Sequence, residues 1–240
     1  MINKNTKIEE IVKMDNKMME FFNNEKIDYC CNGYKTIEEV SKEKNISSND
    51  FIEIIKNNID LDNEKEMFKE NLNDFNNLTI EQMVDALIKN HHEKERDLLF
   101  EIDPLLNKIL KVHYEHHGEE LLKLHSLFSD LKKELEIHFI KEEKITFPLI
   151  LENKNPNKEI IEKINELENE HEKAGDLIRE MIDLTDWFKV PSDGCNTYEY
   201  TFTKLKELVE DVFTHIFKEN SLLFVKYKER EKNNEEKSYK

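Results

Sequence analysis

The amino-acid sequence predicts an all-α protein, with an up-down-up-down four-helix bundle preceded by a small helical domain. The chain has only four glycines and four prolines among 240 residues, so few positions interrupt a helix. From residue 78 onward, apolar side chains recur at steps of three and four along four long segments, which is the period of one buried helix face. Short polar loops join these segments, as in a bundle of antiparallel helices.

Residues 1–60 form the predicted small helical domain. Thr36 followed by Glu39 is a capping-box pattern that predicts the start of a helix. The run Asp28-Tyr29-Cys30-Cys31-Asn32-Gly33 is interpreted as a turn, in which Asn32-Gly33 supplies positions of positive φ. A turn lies at a surface, so this interpretation predicts that the two cysteines are exposed.

The predicted bundle spans residues 78–228. A polar stretch over residues 61–77 predicts a linker before it, and residues 229–240 form a charged tail after it. Thr79 with Gln82 three residues later is a capping signal for the first bundle helix.

The bundle segment contains one string twice, His-x-x-x-Glu followed by Phe five residues later. The copies are His138 with Glu142 and His215 with Glu219. Residues i and i+4 share one face of a helix, so each copy directs an imidazole and a carboxylate the same way. Both pairs continue an apolar face without a broken step: Leu131, Leu135, His138, Glu142, Ile145, Leu149; and Leu208, Val212, His215, Glu219, Leu222. Burying a carboxylate on such a face costs several kcal/mol unless a cation compensates it, and a metal ion would.

Two single histidines complete the pattern. His91 lies on the apolar face of the first helix and His171 on that of the third. His92 is a second, weaker candidate on the first helix, because its side chain faces the flank. The spacing of His91 from His138 is 47 residues, and that of His171 from His215 is 44, which indicates a duplicated helical hairpin.

Four inward-facing histidines and two glutamates exceed the needs of one zinc ion and include no thiolate. They fit two metal ions, with two imidazoles on each ion and both carboxylates as bridges. Mixed nitrogen and oxygen ligation favours iron or manganese over calcium or magnesium. A single histidine on an apolar face is more often a core residue, and one His-x-x-x-Glu is often a surface pair. Their combination on four successive helices favours metal binding.

The rest of the composition excludes several function classes. A net charge of −17 argues against nucleic acid or an anionic membrane as partner. No segment approaches the roughly 18 apolar residues of a membrane-spanning helix, and the start lacks the apolar core of a signal peptide. Three cysteines suit a reducing compartment, so the expected location is cytoplasmic.

The adjacent Cys30 and Cys31 allow three interpretations: buried packing, a redox pair with another thiol, or ligands for a transferred metal.

These motifs resemble a known family. The segment after His138 (Glu142-Glu143-Lys144-Ile145-Thr146-Phe147-Pro148), the segment Glu170-His171-Glu172-Lys173-Ala174-Gly175, and His215 with Glu219-Asn220 are similar to the hemerythrin-like domain of the iron–sulfur cluster repair diiron proteins. The run from Asp28 to Gly33 resembles the Asp-aromatic-Cys-Cys-Gly-Gly signature of that family's N-terminal domain, with Asn32 in place of the first glycine.

The resemblance implies a non-haem diiron centre with an oxo or hydroxo bridge. Its implied terminal ligands are His91, His138, His171 and His215, and its implied bridges are Glu142 and Glu219. It also implies repair of iron–sulfur clusters damaged by nitric oxide or oxidants, through iron donation or NO chemistry, with iron–sulfur proteins as clients. Cys30 and Cys31 would take part in redox or iron transfer. The resemblance also extends to nitric oxide reduction at the centre, which has been suggested for the family, and a second copy of the chain is a candidate partner in a homodimer.

Two other functions compete with repair. A hemerythrin-type carrier or sensor of O2 or NO would use the same centre without repair chemistry, and it would have no need of the cysteine domain. A ferritin-like oxidase would carry more carboxylates than histidines.

Overall fold

A computed structural model of the chain describes residues 2–59 and 72–230. The regular structure of these residues is helical, and the described residues form two compact units. The first comprises residues 2–59, 72–83 and 216–226, and the second comprises residues 84–215 and 227–230. Within the described ranges, every helix is too short or too polar to cross a membrane.

The first unit begins with four short helices. They are α1 (Ile8–Met14), α2 (Met18–Asn24), α3 (Ile37–Glu43) and α4 (Ser48–Asn58). Helix α3 begins as predicted, because the Glu39 N–H donates to Thr36 Oγ1 at 3.3 Å and the Glu39 carboxylate accepts the Thr36 N–H at 2.8 Å. The side chains that these helices share as a core are fully buried: Ile8, Ile11, Val12, Met18, Phe22, Ile37, Ile55.

The end of the predicted linker is helical. Helix α5 (Leu72–Asn77) falls within it, while residues 60–71 lie outside the described residues. Helix α6 (Ile80–Leu87) follows, with the predicted reciprocal cap: the Gln82 N–H donates to Thr79 Oγ1 at 3.2 Å, and Gln82 Oε1 accepts the Thr79 N–H at 2.9 Å.

The loop that carries the adjacent cysteines differs from the predicted turn. Neither Asn32 nor Gly33 has a positive φ. Glycine is required for another reason, because a Cβ at position 33 would lie 2.5 Å from the carbonyl oxygen of Tyr29. The prediction of exposed cysteines is also wrong, since Cys30 is only 3% exposed and Cys31 is half-buried.

Four long helical stretches carry the histidines, and three of them contain a π-turn. The first joins α6 through Ile88–His92 to α7 (Glu93–Val112). The second joins α8 (Tyr114–Lys141) through Glu142–Thr146 to α9 (Phe147–Glu152). The third is α10 (Lys158–Thr185), and the fourth joins α11 (Asn196–Lys218) through Glu219–Leu223 to α12 (Phe224–Lys228). We call these the first to fourth bundle helices.

The second unit is held together by apolar faces of these helices. Helix α8 packs against both α7 and α10. The hydroxyl of Tyr200 on α11 donates to the Glu101 carboxylate on α7, so α11 also contacts α7. The shared core consists of fully buried aliphatic side chains: Ile102, Leu106, Leu124, Leu131, Ile160, Ile164, Ile178, Leu205, Leu208, Val212.

We predict that Gly33→Ala destabilises the protein by about 1–3 kcal/mol, because the added methyl group meets backbone rather than a movable side chain. The matched control is Gly175→Ala within α10, where a Cβ meets only the guanidinium end of Arg179 at 3.1 Å. That control should be neutral or gain up to about 1 kcal/mol of helix propensity. Urea unfolding measures both. Equal stability of Gly33→Ala and wild type would contradict the close-approach argument.

Candidate metal centre

Buried histidines and glutamates form two overlapping clusters. His92, Glu142, His215 and Glu219 each offer a ligand atom within 4.8 Å of the others, and His138 and His171 do the same with the two glutamates. Both glutamate side chains are 0% exposed. Water cannot compensate two carboxylates in that position, so the energetic cost of burying them calls for a cation.

The imidazole Nε2 atoms converge on the interior. His92 Nε2 lies 3.2 Å from His215 Nε2, and His138 Nε2 lies 3.0 Å from His171 Nε2. Glu142 Oε2 lies 3.2 Å from His92 Nε2 and 3.3 Å from His138 Nε2, so one carboxylate oxygen adjoins a histidine of each pair.

The other ring nitrogen of three histidines donates to an outer carboxylate. His92 Nδ1–H donates to Glu143 at 2.9 Å, His138 Nδ1–H to Glu170 at 3.0 Å, and His215 Nδ1–H to Glu95 at 3.1 Å. A neutral imidazole that donates through Nδ1 presents a lone pair at Nε2. Such outer carboxylates are the usual partners of metal-ligating histidines.

The geometry fits metal ligation. If the Nδ1 atoms of His92 and His215 both donate, their Nε2 lone pairs face each other at 3.2 Å, an arrangement that needs a cation or proton between them. Two ligand atoms at right angles, each about 2.1 Å from one ion, lie roughly 3 Å apart. The Nε2–Nε2 and Nε2–Oε2 distances of 3.0–3.3 Å match this value.

At the first bundle helix the cluster contains His92, whereas the family resemblance implies His91. His92, not His91, lies beside Glu142 and His215. His91 donates through Nδ1 to Asp211 at 2.9 Å, and its ring stacks on that of His215 at a centroid distance of 5.3 Å. Both histidines are buried, so burial alone does not distinguish them.

The π-turns are the physical reason for this difference. In each turn the i→i+4 bond is replaced by an i→i+5 bond; for example, the Glu93 N–H bonds to the Ile88 carbonyl. The extra residue rotates the following positions relative to a regular α-helix, and such turns are frequent at functional sites.

The same effect appears after Glu142, where the predicted buried face through Ile145 and Leu149 is wrong. Thr146 and Ile150 are buried instead, and Ile145 is 45% exposed.

Each π-turn has a residue of the two clusters at one of its ends. His92 ends the first, Glu142 begins the second, and Glu219 begins the third. The sequence contains no direct signal for these turns, because a π-turn is marked by hydrogen bonding and not by composition.

The surroundings of the outer carboxylates Glu170, Glu95 and Glu143 shift their pKa values. Burial raises the pKa of Glu170, but hydrogen bonds from His138 and Lys141 outweigh it and lower that pKa to about 2. Burial also dominates at Glu95 and raises its pKa to about 7, although His215 lowers it. Burial raises the pKa of Glu143, but hydrogen bonds from His92 and Arg96 together outweigh it and hold that pKa below its usual value. Glu143 and Glu170 are therefore ionised acceptors at neutral pH.

The remaining four histidines of the sequence lie outside the two clusters. His113, His116, His117 and His125 belong to the join of α7 and α8 or to the first half of α8. His117 Nε2 contacts Asp193 at 2.9 Å, and His113 Nε2 contacts the Cys195 sulfur at 3.2 Å.

Within the first unit, the cysteine loop contacts the segment that carries Glu219. Asn220, the residue after Glu219, donates its side-chain N–H to the Cys30 carbonyl at 3.1 Å. The ring of Tyr29 packs against Phe217 at a centroid distance of 5.9 Å.

Cys30 and Cys31 are free thiols with sulfurs 3.7 Å apart, and Asp28 Oδ1 lies 3.4 Å from the Cys30 sulfur. Burial, followed by the neighbouring Cys31, raises the pKa of Cys30 well above its usual value.

Comparisons with known proteins agree with this arrangement. The chain is 28% identical over 198 residues to the iron-sulfur cluster repair protein YtfE of Enterobacter sp. (strain 638), covering 82% of this chain and 85% of that protein. It is 27% identical over 231 residues to the iron-sulfur cluster repair protein ScdA of Staphylococcus epidermidis, covering 94% of this chain and 99% of that protein.

Two family models match consecutive parts of the chain. Residues 4–58 match a domain of unknown function (DUF542), and residues 83–227 match the hemerythrin HHE cation binding domain. The second match covers more than half of the sequence, and its residues include the two histidine–glutamate clusters. The chain therefore belongs to the hemerythrin HHE cation-binding family.

Proposed function

We propose that this protein holds two iron ions and uses them to repair damaged iron–sulfur clusters. The observation that supports the metal centre best is the convergence of four buried imidazole Nε2 atoms around Glu142. In this proposal His92 and His215 bind one ion, and His138 and His171 bind the other. Glu142 and Glu219 are the bridges; Glu219 follows His215 by four residues along the fourth bundle helix.

The donor set favours iron over the alternatives. Zinc at structural sites takes four ligands, often with thiolates, and calcium and magnesium prefer oxygen ligands alone. Imidazole with carboxylate suits iron or manganese. When bound, the ions would supply redox chemistry and a place for a small molecule such as NO or O2.

The protein's own residues would prepare the site in two ways. Glu143, Glu170 and Glu95 orient three of the histidines, which keeps the Nε2 atoms directed inward. The stacked rings of Phe139 and His92, with centroids 4.7 Å apart, cover the site with apolar surface and exclude water.

Two features favour repair over simple transport of O2 or NO. The relatives covering most of the chain are called iron-sulfur cluster repair proteins. The loop that carries Cys30 and Cys31 adjoins the residue that follows Glu219. This position is suited to passing iron or electrons and would have no use in a carrier. The clients would be iron–sulfur proteins of the cytoplasm, damaged by nitric oxide or oxidants.

The first prediction concerns metal content. Protein expressed with ample iron should contain two irons per chain and show the near-ultraviolet absorption of an oxo-bridged diferric pair. Elemental analysis and an optical spectrum of aerobically purified protein measure this. One zinc and no iron in such a preparation would refute the proposed centre.

The second prediction identifies the ligands. Glu142→Gln and Glu219→Gln should each lose most of the iron, because a bridge serves both ions. His92→Ala should lose iron as well, while His91→Ala should keep two irons per chain. His125→Ala is the matched control on α8. Iron retained in His92→Ala but lost in His91→Ala would reverse the assignment on the first bundle helix.

The third prediction separates the cysteines from the centre. Cys30→Ser/Cys31→Ser should retain two irons but fail to restore a nitrosylated iron–sulfur enzyme, and Cys195→Ser is the control with an unaltered loop. Recovery of the client enzyme's activity is the measurement. Recovery equal to wild type would assign Cys30 and Cys31 to packing, and would favour a function carried by the bundle alone.

A further inference from the structure

A second group of possible ligands lies within the second unit, on the outer side of His215. His91, Glu95 and Asp211 each offer one ligand atom, and these atoms lie within 4.8 Å of one another. His91 and Glu95 come from the first bundle helix, and Asp211 comes from the fourth. None of the three belongs to the proposed diiron ligands.

Glu95 has an oxygen that the diiron centre does not use. Its Oε1 accepts the hydrogen bond from His215 Nδ1 at 3.1 Å. Its Oε2 is buried and has no hydrogen-bond partner within the described part of the chain. The whole residue is 0% exposed. An oxygen in this state loses its hydration without compensation, so the position favours a cation.

Asp211 and His91 already have the separation of two ligands on one ion. Asp211 Oδ2 lies 2.9 Å from His91 Nδ1, which donates its hydrogen to this oxygen when no metal is bound. To bind a metal through Nδ1, His91 takes the other tautomer, with its hydrogen on Nε2. Ligands at right angles around an ion, about 2.1 Å from it, lie roughly 3 Å apart. One imidazole with two carboxylates is a donor set for a divalent transition metal such as Fe²⁺ or Mn²⁺, with water at the remaining positions.

Lys94 lies on the solvent side of this group and compensates part of the negative charge of its carboxylates. Its ammonium lies 2.8 Å from Asp211 Oδ1 and 3.7 Å from Glu207, and its side chain is 43% exposed. A long exposed side chain can turn into water when a stronger cation arrives. Lys94 therefore competes with a metal ion for Asp211.

We propose that His91, Glu95 and Asp211 form a separate site for one exchangeable divalent cation, adjoining the diiron centre through Glu95. With fewer protein ligands than either iron of the pair, this site binds its ion more weakly. Its role in passing iron to or from the centre rests on the proposed repair function, but the binding of the cation does not.

Mn²⁺ is the probe, because the electron paramagnetic resonance signal of free Mn²⁺ falls when the ion binds. Diferric protein is titrated with Mn²⁺, and its iron content is measured before and after to verify that the centre keeps its iron. Wild type should bind one Mn²⁺ per chain. Asp211→Asn should weaken this binding at least tenfold, and Lys94→Gln should tighten it because the competing ammonium is gone.

Lys204→Gln is the matched control, since Lys204 pairs with Glu207 on the same helix and has no contact with Asp211. Its Mn²⁺ affinity should equal that of wild type. Diferric wild type that binds no Mn²⁺ would overturn the proposal, and so would Asp211→Asn binding as tightly as wild type. Neither result depends on repair activity, so a failure of the repair function would leave this test intact.

Discussion

The buried carboxylate of Glu142 and the inward lone pairs of the histidines impose one constraint on the bundle: a positive charge must occupy its interior. Four imidazoles with Nε2 atoms 3.0–3.2 Å apart in pairs would repel one another if all were neutral and nothing lay between them. Protonating one imidazole could relieve one of these contacts. Imidazoles that donate through Nδ1, together with two buried glutamates, suit metal ions better than a proton. The outer carboxylates, the π-turns and the packing of the helices all serve this arrangement.

The outer carboxylates also tie the helices together. Glu143 on the second bundle helix accepts from His92 on the first, Glu170 on the third accepts from His138 on the second, and Glu95 on the first accepts from His215 on the fourth. Each bond that orients one of these histidines therefore joins two helices. These polar contacts add to the apolar packing of the helices, so a polar interior is compatible with an ordered bundle.

Periodicity of 3.6 residues was sufficient to predict the fold class and five histidine or glutamate positions in the two clusters, because most of each helix is regular. It did not separate His91 from His92, and it wrongly placed Ile145 on the buried face; at both places a π-turn adds one residue to the turn. Outer carboxylates such as Glu170 were missed because they lie off the apolar face. Predictions from the turn residues were also wrong at Gly33 and Cys30. At Gly33 the glycine is needed because the backbone approaches its neighbours closely. Cys30 is buried by tertiary packing, although the composition of its loop is typical of a surface turn.

The π-turns make the length of three bundle helices as important as the identity of their clustered histidines and glutamates. Deleting one residue between Ile88 and His92 would restore a regular α-helix and rotate the preceding part of the helix by about 100° relative to His92. Insertions elsewhere in the loops would leave this register intact. In descendants of this sequence, insertions and deletions should therefore accumulate in the loops and avoid these three short segments, even where the residues between the ligands vary freely.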